Sequence, residues 1–311
     1  MTDTTREIFE KHEIRKNKEQ RKGFREYIIS YAKSLGYEAH EEKITKHSAN
    51  VVVGDPDSAD VIYTAHYDTC ATMPFPNFIT PKCIPIYLLY QTILSIIIFI
   101  IPLSVMFGAA PRVLERTESK GLYLLTLVGG YALMILTLYL MMKGPANKHT
   151  ANDNTSGVTL LTDLMADMPE DLRSKAAFIF FDLEELGTVG SKTYKQKHPK
   201  VAKVKPVINF DCVSDGKNIL FVLKKNAAYL APKIEEAFVS DSTYKVETVS
   251  KGAFYPSDQR NFDLGVGVAA LNSTKRGLLY MDKIHTKRDT VYDEKNILFL
   301  KNGAIELTRL I

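Results

Sequence analysis

Two stretches without a single charged residue dominate the hydropathy pattern, one from Cys83 to Pro111 and one from Gly121 to Met142. Each exceeds the roughly 20 residues that cross a ~30 Å hydrocarbon layer as a helix. Helices buried in a soluble core usually keep a polar stripe, and these have none, so the pattern predicts two transmembrane helices. The connecting segment PRVLERTESK is short and polar, which makes the helices antiparallel neighbours with both outer ends on one side of the bilayer. Elsewhere the pattern alternates between two periods. Over residues 17–35, Phe24, Ile28, Tyr31 and Leu35 fall at helical spacing, and Gly36 supplies a stop. Short β-rich runs follow at Asn50–Val53, Val61–Ala65, Ala177–Phe181, Pro206–Phe210, Ile219–Leu223 and Gly267–Leu271. Several are unbroken apolar runs, as expected of strands buried on both faces. Helical patterns lie between and after them, at Gly157–Asp167, Ala227–Phe238 and Asp293–Ile311. That order predicts an α/β fold, a mixed, mainly parallel β-sheet sandwiched by helices. The domain is discontinuous, comprising residues 1–82 and 143–311, with residues 83–142 as an inserted transmembrane helical hairpin. No internal repeat or low-complexity tract interrupts it.

Composition changes this picture little. The 311 residues are 45% hydrophobic and 24% charged, and a mean hydropathy near zero averages the hairpin with a polar remainder. A net charge of +4, with no Lys/Arg run interleaved with aromatics, argues against nucleic acid as a partner. Cys70, Cys83 and Cys212 are odd in number and lack CxxC spacing, which suits a reducing compartment rather than a structural zinc knot. The chain opens polar, without the apolar core of a secretory signal, and residues 11–25 are strongly basic. Loop and flanks carry similar numbers of Lys and Arg, so the basic N-terminal segment decides the orientation. It must share a side with residues 143–311, giving a multi-pass protein of the cell membrane whose α/β domain faces the cytoplasm. Gly129-Gly130 in the second helix could also let hairpins pack as a homo-oligomer.

In open α/β sheets the ligand site lies beyond the carboxyl ends of the strands, so polar residues just after strands carry the chemistry. Five positions qualify. His66 and Asp68 leave the strand VIYTA; taken alone, such a pair is more often a hydrogen-bonded turn than a metal site. Asn152-Asp153-Asn154-Thr155-Ser156-Gly157 precedes an apolar helical run, and helix capping explains one or two of these residues but not all. Glu184-Glu185 follows AFIFFD, and two adjacent carboxylates leaving a buried strand repel one another unless cations or protons compensate them. Their side chains point in different directions, so one can ligate a metal while the other faces a metal-bound water. Asp211 follows VINF, and His285 sits in IHTKRDT. Two His and three carboxylates form the mixed N/O donor set that suits two zinc ions sharing a carboxylate.

With these motifs in this order, HYD, NDNTSG, FFDLEELGTVGS, NFD and HTKRDT, the chain resembles the co-catalytic zinc aminopeptidases of peptidase clan MH, which include bacterial leucyl aminopeptidases and secreted Streptomyces relatives. The resemblance covers about residues 17–311 except the hairpin. It implies that His66 and Asp211 hold one Zn2+, that Glu185 and His285 hold the other, and that Asp153 bridges them. Glu184 would be the general base and Asp68 would orient His66, for hydrolysis of a peptide substrate with a free N-terminus. Near Tyr255-Pro256-Ser257-Asp258-Gln259 the family often has Ser-Asp-His, so Gln259 departs from it; Tyr255 would line the substrate site or stabilise the oxyanion. His12, His40, His47, His149 and His198 lack such context and are expected at the surface. In ordinary members only about a dozen residues separate the His-x-Asp motif from the bridging Asp, whereas positions 66 and 153 here lie 87 apart. The hairpin fills that gap, so it should enter and leave beside the metals. Two rival readings keep the fold: a single-zinc glutaminyl cyclase-like acyltransferase, and a non-catalytic membrane scaffold.

Overall fold

The computed structural model describes residues 1–311, with the side chain of Ile97 outside the description. Nine strands form the sheet: β1 (Ala39–Lys43), β2 (Ala49–Val53), β3 (Val61–His66), β4 (Ala176–Phe181), β5 (Pro206–Phe210), β6 (Asn218–Leu223), β7 (Lys245–Val249), β8 (Leu264–Ser273) and β9 (Leu279–Tyr280). Their order is β1-β2-β4-β3-β5-β8-β6-β7, with β9 paired to β8. Every residue of β2, β3, β4 and β5 is buried, which is why these strands read as unbroken apolar runs. β1 (AHEEK) and β7 (KVETV) lie at the two edges, largely open to solvent, and their polar composition hid them from the hydropathy pattern.

The expectation of a mainly parallel sheet needs correcting. The centre, β4-β3-β5-β8, is parallel, as is β6 with β7. The pairs β1-β2, β2-β4, β6-β8 and β8-β9 are antiparallel. Part of the cause is connection length: the short link from Lys43 to Ala49 can only close a hairpin, whereas parallel neighbours need a crossover of a dozen residues or more. Helices cover both faces. Phe24 and Ile28 of helix Lys18–Ser34, Leu160 and Leu164 of Ser156–Asp167, and Leu300 and Leu307 of Glu294–Leu310 pack with Tyr63, Phe178 and Phe210. Val201 and Tyr194 pack with Ile62, Ile179 and Phe181 on the other face. A further helix, Asp3–His12, was not legible in the pattern, because Thr5 and Ile8 are its only buried residues.

The hairpin is longer than expected. Helix Ile84–Leu103 runs through a wide turn, Ser104–Ala109, into Ala110–Thr117, and helix Lys120–Lys143 returns. At 34 and 24 residues, these rods are about 51 and 36 Å long at ~1.5 Å per residue. The loop expected over PRVLERTESK shrinks to Glu118 and Ser119, because helix Ala110–Thr117 takes up most of that segment. Glu118 ends that helix in the left-handed region (φ 53°), and the Ser119 side chain caps the next by accepting from the Leu122 N–H. The wide turn begins two residues after Pro102, which cannot donate to the helical ladder. Gly130 faces that turn: a Cβ there would lie 2.5 Å from Met106 Cγ, whereas around Gly129 the space is open. Gly130 is therefore a point of close packing inside the hairpin. Both rods keep their apolar side chains exposed, Phe107 and Leu125 among them.

Candidate metal centre

The five sequence motifs converge at the carboxyl ends of β3, β4 and β5. His66 is the last residue of β3, Asp211 follows β5, and Glu184-Glu185 follow Asp182 and Leu183 just past the end of β4. Asp153 sits in the turn ahead of helix Ser156–Asp167, next to a cis peptide bond to Asn154. His66 Nε2 lies 3.3 Å from Asp153 Oδ1 and 3.5 Å from Asp211 Oδ1. His285 Nε2 lies 3.0 Å from Asp153 Oδ2 and 3.3 Å from Glu185 Oε2. One Asp153 oxygen thus faces each imidazole. For bonds of 2.0–2.1 Å, tetrahedral zinc spaces its N and O ligands about 3.3 Å apart. The observed separations match that spacing. Glu185 Oε1, buried and without any hydrogen-bond partner, is left for a cation. The residues present therefore fit zinc at two positions.

Surrounding groups hold these side chains in place. The Asp68 carboxylate accepts the backbone N–H of Glu184 (2.9 Å) and of Glu185 (3.2 Å), which fixes the glutamate pair with its two side chains diverging. Its expected contact with His66 is made mainly by the backbone, since His66 Nδ1 is 3.1 Å from the Asp68 carbonyl oxygen but 3.7 Å from the carboxylate. Asp289, quoted in the sequence only as part of a motif, accepts the N–H groups of Asn152 (2.8 Å) and Asp153 (3.0 Å). Asn154 accepts from the Gly157 N–H, as a capping residue would, and also binds the Phe210 carbonyl and the Cys212 N–H, tying the turn to the end of β5. Leu183, Cys212 and His285 occupy the left-handed region, with φ of 61°, 57° and 63°. Such backbone costs roughly 1–2 kcal/mol per residue, and here it clusters around one site.

Arg15 was missed entirely. Its guanidinium is fully buried and donates to the carbonyls of Tyr67, His12 and Glu13 and to Thr155 Oγ1, joining the N-terminal segment to the β3 end and the Asp153 turn. No local pattern marks a single Arg in a basic stretch as buried. Arg15→Ala removes the guanidinium donors to the buried Tyr67 and His12 carbonyls and should lower stability by on the order of 3 kcal/mol, read from denaturant unfolding of the purified protein.

Without cations the carboxylate cluster is electrostatically frustrated. Burial pushes Glu185 up to about 8, with His285 pulling the other way, and burial with the nearby Asp258, Asp211 and Glu185 pushes Glu184 well above the carboxylate range. Asp153 goes the other way: burial opposes its charge, but His285 and His66 hold it well below the usual range. A cavity of about 320 Å³ opens onto His66, Asp153, Glu184, Glu185, Asp211 and His285. Tyr255 lines it too, but its hydroxyl donates to the Asp211 carbonyl (2.9 Å). Gln259 is buried, bonded to the Tyr255 carbonyl and to Asn209. Of the histidines expected at the surface, His40, His47 and His149 are exposed, while His12 and His198 are half-buried against Tyr27 and Tyr194. Tyr87 and Gln91, from the first turns of helix Ile84–Leu103, also line the cavity; the pattern marked them only as part of an apolar span.

No curated protein matches this chain. Among solved structures it is similar to the LapA aminopeptidase of Legionella pneumophila, at 13% identity and a TM-score of 0.55, covering 98% of this chain and 69% of that one. It is also similar to the glutaminyl cyclase of Porphyromonas gingivalis, at 15% identity and a TM-score of 0.58, covering 99% and 98%. A Zn-dependent exopeptidase from Parabacteroides distasonis aligns at 14% identity and a TM-score of 0.57, covering 98% and 97%. Identities this low establish the fold alone. The family model described as Peptidase family M28 matches residues 138–306, a span that includes Asp153, Glu184, Glu185, Asp211 and His285. More than half of the sequence lies within that match, and the chain belongs to peptidase family M28, whose enzymes bind zinc.

Proposed function

We propose that this protein is a membrane-anchored zinc aminopeptidase that removes N-terminal residues from peptides. The observation that carries the reading is the Asp153 carboxylate, with one oxygen facing each of two separate imidazoles. His66 and Asp211 would hold one zinc and Glu185 and His285 the other, with Asp153 presenting one carboxylate oxygen to each imidazole. Zinc bound there supplies Lewis acidity toward water and toward the scissile carbonyl. The chain's own groups do the rest. Glu184, which lines the cavity but belongs to neither ligand cluster, takes the proton from the attacking water and returns it to the leaving amine.

The membrane reading rests on the two exposed apolar rods, which bury almost nothing against the α/β domain. The basic N-terminal segment, on the same side as that domain, supports a cytoplasmic orientation. Purified in detergent, the protein should bind about two zinc ions per chain and release the first residue of short peptides, scored by metal analysis and chromatography of a free-amino peptide panel. Absence of both metal and turnover would overturn the reading; cyclisation of N-terminal glutamine with ammonia release would favour the cyclase alternative. Zinc affinity should also depend on pH. In the metal-free protein burial opposes the charge on His285, but Glu185 and Asp153 outweigh it and push the imidazole up to about 9. Zinc must expel that proton, so affinity should rise with pH up to about 9 and fall below it, as read by competition with a chromophoric chelator.

A further inference from the structure

Among the described residues, a second group of donors overlaps one of the proposed zinc positions without being part of the expected ligand set. Cys70 Sγ, a Glu185 carboxylate oxygen and a His285 ring nitrogen all lie within 4.8 Å of one another, while His66, Asp153 and Asp211 form the other cluster. Cys70 is buried, 5% exposed. Its placement is built in. The Cys70 carbonyl accepts the Asn147 N–H, the Thr72 N–H reaches the Pro145 carbonyl, and the Met73 N–H donates to the His285 carbonyl at 2.8 Å. Ala71 and Ala146 form a β-bridge between the same segments. The chain entering the hairpin, the chain leaving it and the His285 loop are thus clamped together around this thiol. The second observation is the Glu185 Oε1 atom, buried and lacking a partner in the same cluster.

We propose that the Cys70 thiolate is a ligand of the zinc ion held by Glu185 and His285, an inference that rests on the two-zinc reading above. On binding, the S–H proton is released to solvent and sulfur donates its lone pair to the metal. With Asp153, that ion has four protein ligands, the closed arrangement of a tightly held zinc. The ion at His66, Asp153 and Asp211 has three, so it keeps the open position that catalysis requires. A thiolate also biases the closed position toward zinc, cobalt or cadmium and away from magnesium or manganese. The only other thiol near the metals, Cys212, donates to Asp211 Oδ1 at 3.1 Å and belongs to neither cluster.

Zinc K-edge X-ray absorption of the zinc-loaded wild-type protein decides the matter. The expected result is a sulfur shell at about 2.3 Å, averaging about one sulfur for two zinc atoms. The shell should vanish in Cys70→Ser and persist in a Cys83→Ser, Cys212→Ser double variant, which reads the assignment even if Cys70→Ser fails to fold. Two bound zinc ions with no sulfur shell would overturn the thiolate ligand while leaving the two-zinc reading intact. A shell that survives Cys70→Ser, or disappears from the double variant, overturns it as well. Failure to bind zinc removes both.

Discussion

Glu184→Gln should abolish turnover while leaving the zinc content unchanged. The reasoning is geometric. Asp68 binds the backbone N–H of both glutamates and so fixes their divergence. Glu185 then lies 3.3 Å from His285 with a second oxygen buried and unpaired, whereas Glu184 faces the cavity outside both ligand clusters. Losing a positioned general base typically costs about 10²–10⁴ in rate, and the isosteric amide keeps the packing. Glu185→Gln should show the reverse signature, a lower zinc content with activity lost in consequence. Metal analysis and single-turnover kinetics on both variants separate the two roles. Loss of metal from Glu184→Gln would mean that the assignments are exchanged.

Removal of the hairpin should have an equally large effect on location. The full chain should stay with the membrane fraction after alkaline carbonate extraction, and replacing residues 84–143 with a flexible linker should release a soluble, zinc-binding α/β domain. The rods, 34 and 24 residues long, are apolar and long enough to cross a bilayer. Excision also removes Tyr87 and Gln91 from the cavity wall, so the released domain should bind peptides more weakly, with a raised KM, even if its metals are intact. Release of the full chain by carbonate would refute the anchor. Proteolysis of sealed, right-side-out cells should spare residues 143–311 if the domain is cytoplasmic, and cleavage there would reverse the topology.

The site was more legible than the sheet, and the reason is local. Residues at the ends of β3, β4 and β5 follow fully buried apolar runs, so each candidate was marked by the abrupt change from an all-buried strand to a charged residue. Edge strands β1 and β7 carry no such contrast, because one side of an edge faces water and polar residues cost nothing there. The hairpin announced itself by length and missing charge, but its turn did not, since Arg112, Glu115 and Arg116 are as compatible with an exposed helical turn as with a loop.

What the sequence determined by itself was therefore the set of candidate donors, His66, Asp153, Glu185, Asp211 and His285, together with the buried centre of the sheet and the two apolar spans. Only the tertiary structure decided which donors meet. The pairing of His66 with Asp211, and of His285 with Glu185, comes from strand order β4-β3-β5 and from the bonds of Asp289 and Asn154 to the Asp153 turn. It also brought Arg15 against the Asp153 turn, Cys70 beside Glu185 and His285, and Tyr87 and Gln91 to the cavity wall. Their roles depend on contacts between segments 50 to more than 150 residues apart, such as Arg15 with Thr155 and Cys70 with His285. No periodicity within a window of chain can encode such long-range contacts, because they arise only once the sheet has brought its strand ends together.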